Sequence, residues 1–213
     1  MILREYTVGQ LQVRAYIIGC PETKEALVID PAGSEDLLAD TIRELGLKLK
    51  AIVNTHGHPD HTCGNERMKA LTGAPVLMHR EDDELFRQPD IVDMFRSWGF
   101  EPAPPADGYL EEGQELEVGS MKFRVIHTPG HSPGSVCLFG HGYLVTGDTL
   151  FIDAVGRTDL PGGDMNILMK SLREKIVPLP DDTMVLPGHD YGPRPTDSLG
   201  NQKRTNPYLS SLV

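Results

Sequence analysis

Apolar and polar positions alternate with two different periods along the first half of this chain. Residues 11–20 (LQVRAYIIGC) and 25–30 (EALVID) are dense in aliphatic and β-branched side chains, with the turn signal Pro21-Glu22-Thr23 between them. They predict a β-hairpin. Over 34–46 (SEDLLADTIRELG) the period lengthens. Leu37, Leu38, Ile42 and Leu45 fall on one helical face, Ser34 is placed to cap the start and Gly46 to stop the helix. Residues 49–54 (LKAIVN) predict a buried strand. A short helix ending at Gly73 and a strand within 74–80 follow. Residues 81–108 break the pattern: they are acidic, then aromatic, then Pro-rich, and predict one or two short helices and an irregular connection. Phe95, Trp98 and Phe100 cluster there. Packing is the commoner use of such aromatics, and walling a substrate cleft is the alternative.

The second half returns to strands, of which QELEVG and MKFRVIHT alternate with period two. QELEVG and MKFRVIHT predict strands paired across Gly119-Ser120, and GSVCLFG and YLVTGD flank a turn at His141-Gly142. DMNILMKSLREKIVPL is amphipathic with Asp164 as its cap, and TMVLPGHD is a last strand. The tail, 192–213, is polar and Pro-rich, and disorder is expected only at the chain ends. Strands followed by helix in both halves suit two sheets packed face to face with helices outside. The 213 residues are expected to form one domain.

Composition narrows the function. Asp and Glu outnumber Lys and Arg by 31 to 20, a net charge of −11, which argues against a nucleic-acid partner. The three cysteines, Cys20, Cys63 and Cys137, form no C-x-x-C pair. They are expected to be reduced and mostly buried. The first residues carry Arg4 and Glu5 and no long apolar core, and no stretch reaches the roughly 18 apolar residues of a membrane span. A cytoplasmic protein with a small-molecule substrate and no membrane partner is the expectation, and a homo-oligomer is compatible with it.

The candidate chemistry sits at the predicted strand ends. NTHGHPDHTCGN, 54–65, brings His56, His58, Asp60 and His61 into six residues. A core cannot bury these without partners. Three later segments leave one such group at a glycine-flanked strand end: His131, Asp148 and His189. Imidazole and carboxylate together suit zinc first, with iron or manganese as alternatives, over calcium or magnesium. Seven groups exceed one tetrahedral site and fit two divalent metals. His79, His127 and His141 lack this format and read as structural.

The motifs THGHPDH, TPGHSPGS, GDTLF and PGHDYG, in this order, resemble the ligand blocks of the metallo-β-lactamase superfamily. GRTDLPGGD (156–164) and NQKRTNPYL (201–209) are similar to blocks of its glyoxalase II-like group and of the related persulfide dioxygenases. The resemblance implies an α/β (α+β) fold, an αββα sandwich of two mixed sheets. It implies that His56, His58 and His131 hold one metal, that Asp60, His61 and His189 hold a second, and that Asp148 bridges them. It further implies a glyoxalase II-like (hydroxyacylglutathione hydrolase-like) thioester or ester hydrolase, with a metal-bound hydroxide attacking the carbonyl and Asp60 and Asp148 as catalytic groups. Glyoxalase II enzymes add a C-terminal helical domain for glutathione. This chain is read as lacking it, with Lys203 and Arg204 its last basic residues. Arg157 and Tyr191 are the candidate substrate contacts, with an ion pair to Asp159 as the alternative role for Arg157. Two other readings are an iron persulfide dioxygenase using His56, His131 and Asp148, and a metal-binding module without catalysis.

Overall fold

Six strands cross one sheet in sequence order in the computed structural model, which describes residues 1–213. They are β1 (Ile2–Val8), β2 (Val13–Gly19), β3 (Glu25–Ile29), β4 (Lys48–Val53), β5 (Val76–Met78) and β6 (Gly108–Tyr109). β1 to β3 are antiparallel, and β3 to β6 are parallel. Parallel neighbours need crossovers. α1 (Glu35–Glu44) supplies the first, and α2 (Pro59–Thr62) with α3 (Asn65–Thr72) the second. α4 (Arg80–Leu85) and α5 (Pro89–Ser97) lie in the third.

The second sheet contains β7 (Glu115–Val118), β8 (Met121–His127), β9 (Val136–Gly140) and β10 (Tyr143–Gly147) as an antiparallel meander. A small ribbon, β11 (Leu150–Phe151) with β12 (Ala154–Val155), follows. β13 (Met184–Pro187) then pairs parallel to β10, and β14 (Asp197–Ser198) closes the edge. α6 (Met165–Ser171), continued by a π-helical turn over Leu172–Ile176, and α7 (Leu199–Thr205) cover this sheet. β8 and β10 both run against β9, and β13 runs with β10. All three therefore end on one edge of the sheet.

The burial pattern explains the layering. Successive strand residues point to opposite faces. In β2, Tyr16 and Ile18 face the second sheet, where they join Phe123 and Leu138, while Ile17 faces out against Leu38, Ile42 and Met68 of the helices. A strand buried on both sides reads as a continuous apolar run, as VRAYIIG does. On the other side Ile126, Cys137 and Leu144 pack on Leu168, Leu172 and Leu199. Each such large side chain contributes roughly 1.5–3 kcal/mol on burial. The result is the αββα sandwich.

Several expectations change. Leu37 is half exposed, so the buried face of α1 is Leu38 and Ile42. Ser34 holds the N-cap position with a left-handed backbone, and its hydroxyl caps nothing. Asp164 does cap α6, accepting from the amides of Asn166 and Ile167. β1 escapes the sequence pattern because it is a half-exposed edge strand whose Arg4 and Glu5 break the alternation. The C-terminal tail is built into the body, with Leu199 and Leu209 fully buried. Cys63 is exposed, unlike Cys20 and Cys137.

Candidate metal centre

The sequence cluster begins where β4 ends. Asp30, at the end of β3, accepts from the Thr55 amide through Oδ1 (2.8 Å) and from the Thr55 hydroxyl through Oδ2 (2.6 Å), which fixes the exit of the chain. Pro59 is the first residue of α2, a position where its missing N–H is no loss. This single turn, rather than a loop, carries Asp60 and His61. The glycine between His56 and His58 is required by packing: a Cβ on Gly57 would collide with the Phe86 ring.

The seven groups named from the sequence converge into two sets that share one member. His58 Nδ1 and His131 Nε2 are 2.9 Å apart, and His56 lies with them. His61 Nε2 and His189 Nε2 are 3.2 Å apart, and Asp60 Oδ2 is 3.7 and 3.5 Å from these two nitrogens. Asp148 faces both sets. Its Oδ1 is 3.4 Å from His61 Nε2, and its Oδ2 is 3.6 Å from His131 Nε2 and from His189 Nε2.

The outward nitrogens of four of the five histidines are tied down, and that of His58, Nε2, is buried without a partner. His131 Nδ1 donates to the Arg157 carbonyl (2.7 Å) and His189 Nδ1 to the Leu11 carbonyl (3.1 Å). His61 Nδ1 is 3.0 Å from Asp30 Oδ2. The Thr55 hydroxyl donates to Asp30, so its oxygen is free to accept from His56 Nδ1 at 3.1 Å. These bonds set the tautomers and leave Nε2 lone pairs pointing inward. His58 alone presents Nδ1. Asp30 belongs to this outer layer because both its oxygens are already engaged. His56 Nε2 and Asp148 Oδ1 are buried without any hydrogen-bond partner. Such groups are costly unless something binds them, and the donor set fits two divalent cations.

Electrostatics agree. Burial, and then the neighbouring imidazoles led by His61, holds His56 well below the usual histidine range, and burial and His131 do the same for His58. Burial also works against a charged His61, but Asp148, Asp60 and Asp30 outweigh it and push that group up to about 10. Three carboxylates meeting in a buried pocket make a place for positive charge.

A second buried carboxylate was missed in the sequence. Asp82, on α4, is fully buried and accepts from the Gly57 amide (2.7 Å), the Gly134 amide and the Ser132 hydroxyl (2.6 Å). It therefore joins the loop of His56 and His58 to the loop of His131.

The cleft over the cluster is lined by Leu11, Phe95, Trp98, Leu160, Arg157 and Tyr191, with Phe100 beside them. Phe95 also packs inward and is buried, while Trp98 is half exposed. Arg157 makes two hydrogen bonds to Asp159 (2.6 and 2.7 Å) and still lines the cleft. The Tyr191 ring stacks on His189 at 4.9 Å and is 66% exposed. Lys203 is engaged with Asp181 and the Leu179 carbonyl, and Arg204 with Asn201. His79 and His127 stack at 4.0 Å near Glu81, and His127 Nε2 is 2.7 Å from the Pro133 carbonyl. His141 accepts from the Lys122 amide at the β9–β10 turn.

Comparison with known proteins sets this site in context. Residues 8–189 match the family model described as the metallo-beta-lactamase superfamily. The chain is 37% identical to hydroxyacylglutathione hydrolase GloC of Haemophilus influenzae over 89% of its own length and 90% of that protein. It is similar to the crystal structure of BLEG-1 B3 metallo-beta-lactamase (34% identity, TM-score 0.88), covering 98% of this chain and 100% of that one. It is also similar to TTHA1623 in a di-iron-bound form (37% identity, TM-score 0.83), covering 97% and 100%.

Proposed function

The chain belongs to the metallo-beta-lactamase superfamily, and on that premise we propose that it is a two-metal hydrolase of small thioesters. The observation that carries this reading is the position of Asp148, whose two oxygens face the two nitrogen sets at 3.4 and 3.6 Å. His56, His58 and His131 would hold one ion, Asp60, His61 and His189 the other, and Asp148 both. Zinc is the first choice for an imidazole–carboxylate set, with iron or manganese next. When bound, two such ions supply an acidified water and a Lewis acid for a carbonyl oxygen.

The chain's own residues do the rest. Asp60 accepts a hydrogen bond from the attacking water and aims it. Tyr191 offers its hydroxyl to the substrate. The aromatic wall keeps bulk water from the carbonyl. The water oxygen bonds to the acyl carbon and the C–S bond breaks, the electron pair leaving with sulfur as a thiolate. Of the water's two protons one ends on that thiolate and the other is released to solvent, so the products are a carboxylate and a thiol, and no side-chain acid is needed. The relative named hydroxyacylglutathione hydrolase spans nearly the same length as this chain, so glutathione thioesters head the substrates to try. Three unpaired cysteines fit a reducing, cytoplasmic setting.

The test is a panel with metal-loaded protein: an S-hydroxyacylglutathione, an acyl thioester of N-acetylcysteamine, and a β-lactam. Thiol release with kcat/KM above about 10⁴ M⁻¹ s⁻¹ for one thioester is expected. Ring opening of the β-lactam without thiol release from either thioester would overturn the reading.

A further inference from the structure

One wall of the metal cleft is aromatic. The His58 ring meets Phe86 and Phe95 at centroid distances of 4.9 and 5.9 Å, and Phe95 meets Trp98 edge to face at 5.3 Å. This aromatic series runs from a cluster histidine out to solvent. Phe95 is 5% exposed and Trp98 51% exposed, so the inner ring is held by packing and the outer one is not. The same cleft is also lined by Tyr191, stacked on His189, and by Arg157, whose guanidinium is paired with Asp159.

Single exposed apolar side chains are ordinary. Here Leu11, Trp98 and Tyr191, three of the large apolar or aromatic residues most open to water, line one cleft. Convergence of that kind marks a ligand surface. The aromatic series starts at a cluster histidine, so it lies beside the place where the acyl carbon would sit and suits the acyl half of a substrate.

We propose that Phe95, Trp98 and Phe100 form an acyl subsite that takes an apolar aryl or branched acyl group in preference to acetyl. The assignment to the acyl half rests on the thioester reading, whereas the binding surface does not.

Trp98 is the chain's only tryptophan, so its emission reports on this surface directly. The experiment has two arms on the metal-loaded protein. In the first, phenylacetate and acetate are titrated while tryptophan emission is followed, acetate controlling for binding of the carboxylate alone. In the second, kcat/KM is measured for the phenylacetyl and acetyl thioesters of N-acetylcysteamine, in the wild type and in Trp98→Ala and Trp98→Phe. The proposal expects a saturable emission change with phenylacetate and none with acetate. It expects a phenylacetyl preference of at least about 10-fold, reduced to within about 2-fold in Trp98→Ala and largely restored in Trp98→Phe. An emission change with phenylacetate but no thiol released from either thioester supports the surface and overturns the hydrolase reading. Hydrolysis of both thioesters within 2-fold of each other, with unchanged emission, overturns the subsite and leaves the hydrolase standing. A preference that survives intact in Trp98→Ala also overturns it.

Discussion

Two buried carboxylates outside the sevenfold cluster, Asp30 and Asp82, hold the loops that carry it. Asp30 orients His61 directly and His56 through Thr55. Replacing such a partner typically weakens metal binding 10–100-fold. Asp30→Ala is expected to do so for the ion held by His61, as read by calorimetric metal titration, and unchanged affinity would show that the histidines orient themselves. Asp82→Ala would leave the two buried amides of Gly57 and Gly134 without an acceptor, while the Ser132 hydroxyl keeps Ser135 Oγ. A loss of about 3 kcal/mol in urea unfolding is expected, and a loss below about 1 kcal/mol would mean that water replaces the carboxylate freely. The seven clustered groups were legible because no ordinary use explains three histidines and an aspartate in six residues. Asp82 was not. It lies in the acidic run 81–84, where neighbouring acids read as a solvated helix face, and only burial tells it from Glu81 and Glu84. Asp30 ends a strand as Asp148 does, so the strand-end signal could have found it.

At the scale of elements, the strand ends do the positioning and their glycines let them approach. Gly188 lies between β13 and His189, and a Cβ there would collide with Asp148 Oδ1. Gly188→Ala is expected to retain the fold by circular dichroism yet bind fewer than two metal equivalents, because the shared carboxylate must move. Full stoichiometry in that variant would show that Asp148 has room to spare. Asp164→Ala removes the side-chain cap of α6, and about 1 kcal/mol of stability should be lost, measured by denaturation. Strands with a clear period of two, such as β7 and β8, continuous apolar runs such as β2, and helices with a stop glycine, such as α3, could be read from the sequence. β1, the β11–β12 ribbon and α7 could not, because edge strands, two-residue strands and a polar helix draw their order from tertiary contacts rather than from their own pattern.

The whole molecule brings a net charge of −11 and a buried cluster of unpaired nitrogen and oxygen acceptors to one edge of a two-sheet sandwich. No helix is long and apolar enough to cross a membrane. A cation that binds only the folded chain adds stability by mass action, about 4 kcal/mol at a thousandfold excess over Kd. For a chain of this size that corresponds to roughly 8–16 °C in Tm. Chelation should lower Tm by that order, and two metal equivalents should restore it. The most direct test of the two-metal hydrolase is to titrate metal back into the chelated protein while following thiol release from a thioester. The account predicts activity that reaches its plateau at two equivalents. A plateau at one equivalent, or full iron loading with oxygen consumption from a persulfide and no thiol release, would contradict it.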